Sequence, residues 1–140
     1  MTVEQIVLGV KNKKGELSRI IGHLYQNDVR VCAFWVGTEN KKDTLRLITS
    51  DPKAAMSVLT GLGCKAKTMN VIAVQIPDHP GGLNTILKVL HAANINIFHI
   101  FPCLETQDSA LILEVDKTEE ALKALKDNWI NLYDKRIYDL

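Results

Sequence analysis

The chain repeats itself. At an offset of 66 residues, the segment from Ile6 to Leu17 falls on the segment from Ile72 to Leu83, so that Gly15 meets Gly81 and Leu17 meets Leu83. The match continues through Ile20 with Ile86, Leu24 with Leu90, Val29 with Ile95 and Val31 with Ile97. It resumes at Leu45 with Leu111, Leu47 with Leu113, Ala55 with Ala121 and Leu59 with Leu125. A repeat of this length means two copies of one small fold, residues 1–69 and 70–140. Units of roughly 70 residues bury only about 60% of their unfolded surface alone. Packing against each other, or dimerising, is the expected remedy.

Within each copy the periodicities alternate in a fixed order. Residues 5–11 are β-branched and alternating, which predicts a strand. Leu17, Ile20, Ile21 and Leu24 lie three and four apart, one face of a helix. Strands over 29–37, 44–49 and 64–69 follow, with a second helix opening at Ser50-Asp51-Pro52. The second copy predicts strands at 71–76, 95–104, 109–115 and within 130–138, with helices at 82–93 and 117–127, the latter capped by Asp116. The order β-α-β-β-α-β is ferredoxin-like: an α+β fold of antiparallel sheets with helices on one face. Residues Val29, Val31, Ala33 and Trp35 alternate against Cys32, Phe34 and Val36, so both faces of that strand are apolar. A sheet with one solvated face shows apolar–polar alternation. The helix-free face should therefore be covered by the other unit or by a second chain.

Composition narrows the function. The formal net charge is +1. Eleven Lys/Arg against six Asp/Glu lie in the first 68 residues, and six against ten in the rest, so the halves are of unlike sign. The small net charge, and third strands without aromatics, argue against RNA binding, although RNA-recognition domains share this strand order. Cys32, Cys64 and Cys103 have no paired spacing and are expected as reduced thiols in a cytoplasmic protein. The amino terminus lacks a signal-peptide pattern, and no apolar run is long enough to span a bilayer. His23, His79, His91 and His99 are scattered without ligand spacing, so neither a metal nor another cofactor is expected. No nucleophile elbow, phosphate-binding glycine–lysine loop or zinc-helix motif is present, and neither strand-to-helix loop carries an arginine for acylphosphatase chemistry. The chain reads as a binding module and not an enzyme. Phe34, Trp35 and Phe98 are expected to pack in the sheet.

The loop Asp78-His79-Pro80-Gly81-Gly82-Leu83 joins a strand to a helix. Pro80-Gly81 suits a turn needing positive φ, and a helix start offers free N–H donors and a positive dipole end to a carboxylate or phosphate. A tight turn of purely structural purpose is the competing reading. This loop, the helix exit Ala93-Asn94-Ile95-Asn96-Ile97, and their counterparts Lys14-Gly15-Glu16-Leu17 and Asn27-Asp28-Val29-Arg30-Val31 resemble the ACT domain. The resemblance covers essentially the whole chain as a tandem pair without a catalytic domain. It implies a regulatory module that senses an amino acid or related metabolite at an interface between units, with side-by-side pairing of sheets. It further implies a homodimer and an enzyme regulated in trans. Carried over by position, Asp78, Pro80, Gly81, Gly82 and Leu83 would line the loop, and Asn94, Ile95 and Asn96 the opposite edge. In the first copy the same places hold Asn12, Lys14, Gly15, Glu16 and Leu17, with Asp28 and Val29 at the edge. An asparagine oxygen could accept from a ligand ammonium while loop N–H groups take its carboxylate. For Asn94 and Asn96, helix-end chemistry is the structural alternative. The copies are unequal, because Lys14, Glu16, Asp28 and Arg30 replace Pro80, Gly82, Asn94 and Asn96.

Overall fold

The computed structural model describes residues 1–104, 108–134 and 137. The first unit contains β1 (Val3–Gly9), α1 (Glu16–Gln26), β2 (Val31–Glu39), β3 (Lys42–Thr49) and α2 (Pro52–Gly61). Next comes β4 (Ala66–Gln75), followed by α3 (Gly82–Ala92), β5 (Ile97–Pro102), β6 (Ala110–Val115), α4 (Thr118–Asp127) and β7 (Leu132–Tyr133). The strands form one seven-stranded antiparallel sheet of order β2-β3-β1-β4-β6-β5, with β7 also on β4. The ferredoxin-like order holds in both copies. The two strands expected at 64–69 and 71–76 are a single strand. β4 pairs with β1 through Val71, opposite Val3, and with β6 from Ile72, opposite Leu113. The boundary expected at 69/70 therefore lies inside a hydrogen-bonded strand, which leaves no room for a hinge.

The repeat extends to the hydrogen bonds. Val10 donates to the Asp43 carbonyl at 2.9 Å and Ile76 to that of Ser109 at 2.8 Å. Val29 donates to the Leu24 carbonyl and Ile95 to that of Leu90, both at 2.9 Å. One expected cap is corrected. Asp51 does cap α2, accepting from the Ala54 N–H at 3.1 Å. Asp116 does not cap α4. It is the counterpart of Ser50, and its Oδ1 accepts from the Asn96 N–H at 2.9 Å, as the Ser50 Oγ accepts from the Arg30 N–H at 2.9 Å. The cap position passes to Lys117, which makes no side-chain cap.

Three cores follow from this layout. α1 and α2 cover one outer face through Ile20, Leu24, Ala55 and Leu59 over Ile6, Leu8, Leu45 and Leu47. α3 and α4 cover the other through Ile86, Leu90, Leu122 and Leu125 over Ile72, Val74, Leu111 and Leu113. Between them lies a core of strand residues that includes Val3, Ala33, Ile48, Val71, Ala73, Phe101 and Ile112. The helix-free faces of the two units thus cover each other, as the two-sided apolar strands require. The sheet's end strands also meet: Ala33 bridges Cys103, and the Leu104 N–H donates to the Cys32 carbonyl at 2.7 Å. Cys32, Cys64 and Cys103 are free thiols. Burial, then the neighbouring Cys32, pushes the Cys103 thiol up to about 12, so it stays protonated and unreactive.

The strict alternation expected for β2 is broken. A bulge between Val31 and Ala33 puts Val29 and Val31 on the helix side but Ala33 and Trp35 on the inter-unit side. β5 has an equivalent irregularity between Ile97 and His99. The expected sheet packing holds for Trp35 only. Phe34 and Phe98 are 45% and 54% exposed, because β2 and β5 are the end strands and touch at little more than one bridge.

The inter-unit core carries charge as well as hydrocarbon. Arg46 of β3 donates from Nε to Glu114 Oε2 of β6 at 2.8 Å and from Nη1 to Glu39 Oε1 of β2 at 2.6 Å. Glu114 Oε2 also accepts from Gln5 Nε2 at 3.4 Å and faces His99 Nδ1 at 2.9 Å, while His99 Nε2 faces Glu39. Trp35 stands edge-on to His99 at 4.8 Å, with the Arg46 guanidinium 5.2 Å from its ring centre. Arg46 and Glu114 are buried. Burial by itself would raise the Glu114 pKa, but the hydrogen bond and charge of Arg46, helped by Gln5 and His99, outweigh it and hold the carboxyl below its ordinary value.

Removing one partner of a buried pair strands the other charge. Arg46→Ala should therefore cost about 3–5 kcal/mol, read as a lower urea midpoint. Because the folded pKa of Glu114 is depressed, its contribution is fully present above the ordinary carboxylate range. It is lost as pH falls through the folded value. Urea midpoints measured across the acid range should fall for the native chain and fall less steeply for Glu114→Gln. Equal slopes would contradict the assignment.

Candidate functional site

The two strand-to-helix loops adopt one turn. Lys13 N–H donates to the Lys11 carbonyl and His79 N–H to that of Pro77, both at 2.9 Å. Gly15 and Gly81 both occupy the N-cap position with φ of 82°, a left-handed conformation that glycine adopts without a Cβ penalty. The turn forms in the first unit without the proline or the second glycine. The first glycine is thus what both turns share, and Pro80 is not required for the turn.

The difference lies at the helix starts. Glu16 is buried at the first turn of α1, where a carboxylate complements the free N–H groups and the dipole. It accepts from Arg19 Nη2 at 2.6 Å and lies 3.8 Å from Lys13 Nζ. The Arg19 hydrogen bond holds its carboxyl below the ordinary value, against a desolvation penalty. The first unit thus keeps an acid in the first turn of its helix, paired with Arg19 and Lys13. α3 has no acidic residue in its first turn and begins with Gly82. A Cβ at position 82 would lie 2.1 Å from the Pro77 carbonyl oxygen, so the loop is drawn down over the helix and only glycine fits. A cleft of about 560 Å³ beside this loop is lined by Gln75, Ile76, Pro77, Asp78, His79, Pro80, Asp108 and Ser109. His79 Nδ1 lies 2.9 Å from the Pro80 carbonyl oxygen.

The expected site residues do not all converge. Asp78 and Pro80 line the cleft, Gly81 and Gly82 form the helix start, and Leu83 is 45% exposed beside it. Asn94 and Asn96 lie beyond the other end of α3, whose 11 residues span roughly 16 Å at 1.5 Å per residue. Within one unit, loop and exit cannot grip one amino acid. Asn94 and Asp28 have φ of 59° and 60°, and both close their helices: Asn94 N–H donates to His91 at 3.0 Å and Asp28 N–H to Tyr25 at 3.1 Å. Their exposed side chains are left to other uses. Ile95 and Val29 are buried in the helix-side cores, so their side chains serve packing. In the first unit Asn12 lines a cleft of its own, Lys14 and Gly15 are exposed on the loop, and Leu17 borders an apolar groove of about 320 Å³ with Ile21, Tyr25, Phe34 and Leu104.

Sequence reasoning missed the Gln5–Arg46–Glu39–Glu114–His99 cluster. Its trace was there: Arg46 stands between Leu45 and Leu47, and Glu114 between Leu113 and Val115, each a charge amid an apolar strand.

Gly82→Ala should destabilise more than Gly81→Ala in thermal melts. The first change forces backbone apart at Pro77, whereas the second meets no atom within 4 Å and costs only the left-handed strain, about 1 kcal/mol. The reverse order would show that the loop does not press on the helix start.

A sequence comparison with curated proteins finds no match. Among solved structures, a protein of Bacteroides thetaiotaomicron superimposes with a TM-score of 0.90 at 21% identity, over 100% of this chain and 98% of that one. The ligand-free regulatory subunit of aspartate kinase from Thermus thermophilus gives 0.62 at 16% identity, over 88% and 87%. The corresponding subunit from Thermus flavus gives 0.59 at 15%, over 90% and 92%. These likenesses concern the fold. The sequence profile of the ACT domain pair matches residues 1–138, and with the doubled turn and doubled β-α-β-β-α-β order this places the chain in the ACT-domain family, as a pair of ACT domains.

Proposed function

We propose that the chain is a regulatory protein, not an enzyme, in which the units 1–69 and 70–140 act as ACT-like domains and the second binds an amino acid or related metabolite. The observation that carries this reading is the asymmetry of the first helical turns: that of α1 holds the acid Glu16, while α3 opens with Gly82 and no acid. The loop Asp78–Leu83 would take the ligand carboxylate on free N–H groups of α3. Asp78 would face its ammonium. Asn94 or Asn96 would complete the site only from across an interface, because α3 separates them from the loop. The exposed Leu83, Leu87, Phe98 and Ile100 along α3 and β5 are a surface through which a homodimer would bring them there. The regulated enzyme would be a separate chain in the cytoplasm; one structural neighbour is described as a regulatory subunit of aspartate kinase.

RNA binding is the reading that loses ground. Recognition domains of this strand order stack bases on the helix-free sheet face. Here that face is buried between the units. A purely protein-binding module is favoured only by the exposed apolar residues just named.

Thermal shift of the purified full chain with each amino acid tests the proposal. A ligand at a hundredfold excess over its Kd should stabilise by about 2.7 kcal/mol, or several degrees. Asn94→Gly keeps the left-handed conformation and removes the amide, so it should retain the melting temperature and lose the ligand shift. Asp28→Gly should retain both. A chain that no amino acid stabilises would count against the sensor reading.

A further inference from the structure

We propose that the cleft between the β1–α1 loop and the β2–β3 hairpin is a second binding site, which takes the phosphoryl group of a small molecule. The cleft holds about 540 Å³, within the range of small-molecule sites. Lys11 and Asn12 stand on the loop wall; Thr38, Lys41, Lys42 and Asp43 stand on the hairpin wall. Its base is pinned by the Val10 N–H donating to the Asp43 carbonyl at 2.9 Å. The hairpin turns at Asn40 and Lys41 with φ of 49° and 66°, the tight two-residue turn that fixes Lys41 and Lys42 on successive positions of its tip.

Three lysines therefore line one cleft from two chain segments. Among the described residues none of them has a carboxylate within ion-pair distance. The single acid of the cleft, Asp43, already accepts the Thr38 hydroxyl at 2.9 Å. A phosphoryl group of about two negative charges matches this set, since lysines are mobile point-charge donors. The first turn of α1 next to it already carries the Glu16 carboxylate, whose charge repels a second anion there, so an incoming anion is held by the lysines.

The duplicated fold supplies a control. The same cleft recurs in the second unit, pinned by Ile76 N–H to the Ser109 carbonyl at 2.8 Å. There Lys11 is replaced by Pro77, Asn12 by Asp78 and Lys42 by Asp108. At the described positions the two clefts thus carry opposite charge over the same hydrogen bond at their bases, so the fold does not require Lys11 or Lys42. This site stands apart from the amino-acid reading above, in which none of the three lysines takes part.

The test is titration of the isotope-labelled full chain with inorganic pyrophosphate, followed through amide resonances. Saturable shifts confined to residues 10–14 and 38–43, weakening with added salt, are expected. The double variant Lys41→Ala/Lys42→Ala should weaken binding roughly tenfold or more. Lys11→Ala on the other wall should weaken it too, which keeps the test sound if the hairpin variant folds poorly. Succinate, a dianion without phosphorus, should bind more weakly. Absence of saturation, shifts centred on the second unit, undiminished binding in either variant, or equal binding of succinate would each overturn the proposal.

Discussion

The constraint on which the rest of the structure depends is the burial of two helix-free sheet faces against each other. Neither half could leave Val3, Ile48, Phe101 or Ile112 in water, and neither has helices enough to cover both of its faces. Face-to-face packing resolves this within one chain. β4 makes the solution rigid, because the same strand closes the first unit's sheet and opens the second's. Hydrocarbon alone would permit sliding between the faces. The Arg46–Glu114–Glu39 cluster, with His99 and Gln5, needs partners from both units in one geometry, and a misplaced register would strand a buried charge.

Rigid joining has a functional consequence. With no linker, the two units have no hinge about which to swing, so the sensing proposed above would act through the packed interface or through surfaces offered to other chains. The hairpin that walls the lysine cleft leads directly from Glu39, itself a member of the buried cluster. The cleft and the inter-unit contact are therefore neighbours in the chain as well as in space.

Duplication has been used here to diversify. The hydrogen bonds of the loops, helix exits and cleft bases agree between copies, so the backbone was retained. The side chains at those places were not. Glu16 stands in a first helical turn where the other copy has Gly82, and Lys42 stands where the other copy has Asp108. The chain carries one architecture with two chemistries.

The sequence by itself determined the two copies, the order of their elements, the turn at Gly15 and Gly81, and the need to cover the helix-free faces. All of these are written in periodicity and local turn chemistry, which act over a few residues. The tertiary structure decided the rest. A bulge in β2 moved Ala33 and Trp35 to the face opposite Val31, because alternation cannot foretell an inserted residue. Asp116 became a strand-edge acceptor and not a cap, since its partner lies 20 residues away at Asn96. The length of α3 sets Gly81 and Asn94 at opposite ends of one helix, a separation that residue spacing alone does not display. The pairing of Arg46 with Glu114 across 68 residues, and the meeting of Lys11 with Lys42 in one cleft, depend on how strands are ordered in space. Local patterning carries no record of that order.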